Sequence, residues 1–138
     1  MRFFLFFLTA CFLFVTVGCS ENVPLGGKVV YSDDGSPLTV GEVCLETESF
    51  TARGALGSDG TYTIGSLAET DGLPPGTYRV SIFGATRTEM GNNGMPISIP
   101  LIDRKYFRGA TSGLTVEAKA GNRRFDFEVD RYVPPSRK

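Results

Sequence analysis

Side-chain alternation, broken at short intervals by glycine, is what most restricts this chain. From Gly26 onward no run keeps the 3.6-residue apolar spacing of a helix, and glycine interrupts each candidate. A period of two recurs instead. Phe125, Phe127 and Val129 alternate with Arg124, Asp126, Glu128 and Asp130, and Tyr78, Val80 and Ile82 alternate with Arg79 and Ser81. Successive strand side chains point to opposite faces, so each run predicts a strand with one buried side. Seven such runs can be traced: Gly27–Tyr31, Gly41–Glu48, Phe50–Leu56, Thr61–Ile64, Thr77–Phe83, Leu114–Lys119 and Arg124–Asp130. In the second, Val43 and Leu45 share the apolar face, opposite Glu42, Cys44 and Glu46. Between the runs lie clusters of Gly, Pro, Asp and Asn, and Asp59-Gly60 predicts a hairpin turn. The stretch Ala85 to Phe107 is expected to be irregular, with Ile97, Ile99 and Leu101 marking a short strand or an apolar latch. The fold class predicted is all-β: a single seven-stranded β-sandwich over residues 26–131, with a C-terminal tail at 132–138.

The first eighteen residues are a different material. Met1-Arg2 is followed by an uncharged run from Phe3 to Val17, and six of the eleven Phe residues lie in the first fourteen positions. A basic start, an apolar core and a small residue at the end is the layout of a secretory signal, and the run is shorter than the roughly 20 residues of a spanning helix. Thr16-Val17-Gly18-Cys19 resembles the lipobox of bacterial lipoproteins, in which signal peptidase II cleaves before a Cys that carries diacylglyceryl. Gly18 and Val17 fit that pattern; Thr16 stands where an aliphatic residue is usual. The resemblance implies a signal peptide at 1–18, lipid attachment at Cys19, a polar tether at 19–25 and membrane association through the lipid. The competing reading is ordinary cleavage near Gly18 and a soluble secreted product. On the first reading Cys11 leaves with the signal, Cys19 is acylated and Cys44 stays alone, so no disulfide framework is expected.

Turn and strand punctuation carries a second resemblance. Gly27-Lys28-Val29, Gly35-Ser36-Pro37-Leu38, Gly41-Glu42-Val43, Asp59-Gly60-Thr61-Tyr62 and Pro75-Gly76-Thr77-Tyr78-Arg79-Val80 resemble carboxypeptidase regulatory-like domains. Ile102-Asp103-Arg104-Lys105-Tyr106, Thr111 to Val116 and Phe125-Asp126-Phe127 are similar to a bacterial lipoprotein subgroup of that fold. The resemblance implies a transthyretin-like, Ig-like sandwich and a non-catalytic accessory role in a bacterial cell envelope, facing the periplasm or the exterior.

The chemistry the residues offer is narrow. There is no His, which removes Ser-His-Asp and Cys-His catalysis and the commonest transition-metal ligand. Charge is nearly balanced, 14 basic against 15 acidic, and losing residues 1–18 with Arg2 leaves 13 against 15. That gives no electrostatic reason to expect nucleic acid. Asp33-Asp34 reads as a solvated turn; calcium there, with help from Asp59 or Asp71, is the alternative. Cys44 lacks a partner base and reads as a small strand residue, and Arg123-Arg124 as a solvated turn. Arg104, Lys105 and Arg108, interleaved with Tyr106 and Phe107, form the one candidate contact site. The functional reading is a surface for anionic polysaccharide or lipid head groups; the bland one is a strand edge guarded by charge. No cofactor, no metal and no enzymatic activity are expected. The function expected is a structural or interaction module whose partner is an envelope protein or polysaccharide. The alternative is a carbohydrate- or calcium-binding module, against which the absence of Trp counts.

Overall fold

A computed structural model describes residues 21–65 and 72–136; the signal segment, Cys19 and Asp71 lie outside the described residues. The regular structure of the described residues is almost all β. Its strands are β1 (Leu25–Tyr31), β2 (Glu42–Glu46), β3 (Thr51–Ala55), β4 (Thr61–Ile64), β5 (Gly76–Phe83), β6 (Thr86–Met90), β7 (Pro96–Pro100), β8 (Thr115–Ala118) and β9 (Phe127–Val129). Helix is confined to a 3-10 turn at Arg104–Phe107 and a single-turn α1 at Gly109–Ser112 among the described residues.

Three sheets result, in the orders β4-β1-β9, β3-β2-β5-β8 and β6-β7. The two larger ones share one apolar core. Val29, Ile64 and Val129 come from the first, and Val43, Leu45, Val80 and Ile82 from the second; all are fully buried. The alternation of the sequence therefore found its buried face in both sheets. β1 pairs antiparallel with β4 and parallel with β9, so the C-terminal strand lies along the first one.

Among the described residues nine strands replace the expected seven. All seven expected runs contain a strand; the two additions are β6 and β7, inside the stretch expected to be irregular. They pair with each other from Thr86↔Pro100 to Met90↔Pro96 and join neither larger sheet. Gly91-Asn92-Asn93-Gly94 is their turn, closed by Gly91 N–H on the Met95 carbonyl (2.8 Å). β7 is the short strand that Ile97 and Ile99 marked, whereas β6 left no trace because it buries no face: Arg87, Thr88, Glu89 and Met90 are all exposed, so selection for burial left no alternation.

Two further expectations take a finer form. The turn at Asp59-Gly60 does close a hairpin, with Gly57 N–H on the Thr61 carbonyl (2.8 Å) and Arg53 bridging Gly65. β3 and β4 nevertheless belong to different sheets, so the hairpin turns a corner. Gly54 permits the corner, since a Cβ there would run into the Thr63 carbonyl. The domain also begins earlier than the expected boundary at Gly26. Val23 is buried and exchanges both backbone hydrogen bonds with Leu73 (2.7 and 3.0 Å), and Leu25 is 1% exposed.

Parallel β1 and β9 give the domain two distinguishable ends. Val23 and Leu73 mark the end where the chain enters. Tyr31 and Val129, at the other, lead into the segments Ser32–Ser36 and Asp130–Arg131. At about 3.3 Å per strand residue, Val23 and Tyr31 are about 26 Å apart along the strand.

Candidate functional site

The basic cluster lies at the Tyr31–Val129 end, and what holds it there is a network centred on Asp130. The Asp130 backbone carbonyl accepts from Asp103 N–H (2.9 Å), and Ile102 bridges Arg131. Asp103 then starts the 3-10 turn, its side chain accepting from Lys105 N–H (2.9 Å). The Asp130 carboxylate takes hydrogen bonds from Lys105 Nζ (2.7 Å), Ser32 Oγ (2.8 Å) and the Tyr106 hydroxyl (3.0 Å). Lys105, Ser32 and Tyr106 together lower its pKa to about 2, Lys105 most of all. The same bond to Asp130 raises the pKa of Lys105. Negative charge on Asp130 fixes the base of the turn.

The four sequence candidates part company here. Arg104, Lys105 and Arg108 are exposed and, with Phe107 and Thr111, line one open depression of about 490 Å³. Tyr106 is not part of it. Its ring is buried in the core at 6% exposure, and burial raises the pKa of its hydroxyl. A 3-10 turn repeats every three residues, so Tyr106 faces inward while its neighbours face water. The expected charged strand edge is likewise replaced by a turn and a one-turn helix. α1 is pinned by the Ser112 hydroxyl donating to the Val80 carbonyl. Gly109 at its start packs against Glu46 and Arg79, where a Cβ would clash.

The cations of the depression differ in commitment. Lys105 is held by Asp130 and lies over the Tyr106 ring, 4.9 Å from its centroid. Arg104 rests on the Tyr132 ring at 5.5 Å. Among the described residues, neither Arg104 nor Arg108 is ion-paired. Phe107 is half-buried against the core and supplies the apolar floor.

Asp33 and Asp34 have a structural partner that local sequence gave no sign of. Arg131 Nε donates to Asp33 Oδ2 (2.7 Å) and its terminal nitrogen to both Asp34 oxygens (3.1 and 3.2 Å) and Ser36 Oγ (2.9 Å). The guanidinium stacks on the Tyr31 ring at 3.6 Å. The Ser36 hydroxyl and N–H, with Arg131 adding less, hold Asp34 down to about 2. The calcium candidate is therefore a clasp joining the C-terminal segment to the first turn. Asp59, its suggested helper, is taken by the Thr61 N–H (3.1 Å) and hydroxyl (2.6 Å). Among the described residues no group of three His, Cys, Asp or Glu is placed to hold a metal ion. Cys44 is buried beside Arg53 and Ser81 on the flanking strands, and burial raises its thiol pKa.

The sequence matches no family model and no curated protein. Among solved structures, the crystal structure of a 9R-lipoxygenase from Cyanothece PCC8801 is similar over 84% of this chain. The chain spans 18% of that enzyme's length, at 14% identity and a TM-score of 0.38. A likeness that shallow carries no argument about fold family or activity.

Proposed function

We propose that the chain is a lipid-anchored module of a bacterial cell envelope, exported by its first eighteen residues and acting by contact rather than catalysis. Its core is a carboxypeptidase regulatory-like, transthyretin-like sandwich of seven strands, to which β6 and β7 add a projecting hairpin. The observation that carries the reading is the position of Val23. Val23, four residues after Cys19 in the sequence, is buried and paired with Leu73, and the intervening Ser20-Glu21-Asn22 is polar, with Glu21 and Asn22 exposed. Four residues reach at most about 14 Å, so a lipid on Cys19 would hold the entry end of the domain against the bilayer. The opposite end, with the basic depression, is then the end offered to partners.

Replacement of the anchor residue tests this. Cys19→Ser should abolish metabolic palmitate labelling and leave an unprocessed precursor that keeps residues 1–18. Equal labelling of both forms, or a wild-type protein found free of membranes, refutes the anchor.

A further inference from the structure

We propose that the depression lined by Arg104, Lys105, Phe107, Arg108 and Thr111 binds a carboxylated polysaccharide, on the part of the domain turned away from the anchoring membrane. The site stands on its own geometry; only its direction rests on the lipid anchor.

Two guanidinium groups without ionic partners among the described residues flank an apolar floor, which is the combination an acidic sugar needs. A pyranose ring has an apolar face that can lie on Phe107, and its carboxylate matches the planar fork of an arginine. No carboxylate lines the depression. Asp103 and Asp130, beside the turn, are spent on the fold, Asp103 on the Lys105 N–H and Asp130 on Lys105, Ser32 and Tyr106, and Glu46 lies behind α1 against Gly109. The charges lining the floor are those of Arg104, Lys105 and Arg108.

Shape and position narrow the ligand. Four of the five lining residues are exposed, so the site is a shallow tray rather than an enclosed pocket. That suits a polymer lying across it better than a small molecule. An acidic peptide would gain most by pairing with a strand edge, but a 3-10 turn and a one-turn helix form this wall. Lipid head groups of the anchoring bilayer are disfavoured by distance. Arg104 and Lys105 sit at the Asp130 end, roughly 26 Å along β1 from the entry point at Val23.

The test uses the mature wild-type protein in phosphatidylcholine vesicles, with polygalacturonate as probe. Polygalacturonate should bind and weaken as salt is raised, while uncharged dextran should not bind. The double variant Arg104→Gln/Arg108→Gln should bind at least about ten-fold more weakly, with an unchanged near-ultraviolet spectrum. Arg123→Gln, at the entry end beside Pro24, should bind like wild type. Equal binding by the double variant, or none by wild type, overturns the site. Stronger binding of polyglutamate would make the partner a protein, and equal competition by phosphatidylglycerol vesicles would make it a head group; either overturns the proposal. The unlipidated Cys19→Ser precursor should bind polygalacturonate as wild type does. Polymer binding by a wild-type protein that carries no lipid upholds the site and overturns the anchor alone.

Discussion

Adding one methyl group at Gly27 should separate the C-terminal strand from the first. Gly27 lies in β1 opposite Tyr62, and a Cβ there would collide with the Phe125 carbonyl and sit 3.1 Å from Asp126 Oδ1. Neither neighbour can yield cheaply. The Phe125 carbonyl accepts from the Tyr62 hydroxyl (2.5 Å), Phe125 N–H donates to the Gly26 carbonyl (2.8 Å), and Asp126 Oδ1 accepts from Lys28 N–H (2.8 Å). Forced overpacking costs about 1–3 kcal/mol, and leaving the Tyr62 hydroxyl unpaired adds about 1–2 kcal/mol. Gly27→Ala should therefore cost about 2–5 kcal/mol, lowering Tm by roughly 10–20 °C for a domain of this size. Gly35→Ala is the control. Its φ is +72° with open space around it, so it carries only the left-handed backbone penalty, about 1–2 kcal/mol. Urea unfolding followed by circular dichroism measures both, and Tyr62→Phe should cost less in the Gly27→Ala background than in wild type. Equal destabilisation by the two alanines, or full additivity with Tyr62→Phe, would show that β9 does not lie where it closes on β1.

Other consequences are simpler to test. Gly60 has φ +79°, and a Cβ there would come within 2.7 Å of the Val29 carbonyl and 2.8 Å of Pro37, so Gly60→Val should cost at least about 2 kcal/mol in the same assay. The carboxyls of Asp34 and Asp130 titrate near 2 in the folded state, below their ordinary value, so the stability they contribute is present above about pH 4 and lost as pH falls through about 2. Ser36→Ala should raise the NMR titration midpoint of Asp34 and leave that of Asp130 in place; the reverse would misassign the cause. In the mature acylated protein the buried Cys44 thiol should react slowly with a disulfide reagent when folded and promptly after unfolding, and fast reaction in the folded state would contradict its burial.

How much of this was legible depended on whether a feature leaves a local trace. The seven runs were legible because one-sided burial writes a period of two into them; Tyr78, Val80 and Ile82 are buried as read. Cys44 broke the pattern. It is buried with its cross-strand partner Ser81, a pairing that no local rule foretells. The Arg131 clasp was invisible for a related reason, since its partners lie 97 and 98 residues away in the chain. The basic depression was half legible. Adjacent positions brought Arg104, Lys105 and Arg108 together, but only the turn geometry revealed that Tyr106 points into the core and Thr111 joins the rim.

The isolated pairing of β6 with β7 has one more implication. The excursion leaves and returns at a single point, where Leu101 N–H donates to the Ala85 carbonyl (2.9 Å) and Thr86 stands opposite Pro100. Cα atoms so paired are only about 5 Å apart, a gap that a tight turn can span. Residues 86–100 are thus a plug-in segment, exchangeable for a shorter turn or a foreign epitope while the two larger sheets keep every one of their ladders. The same seam serves an engineer as a display port.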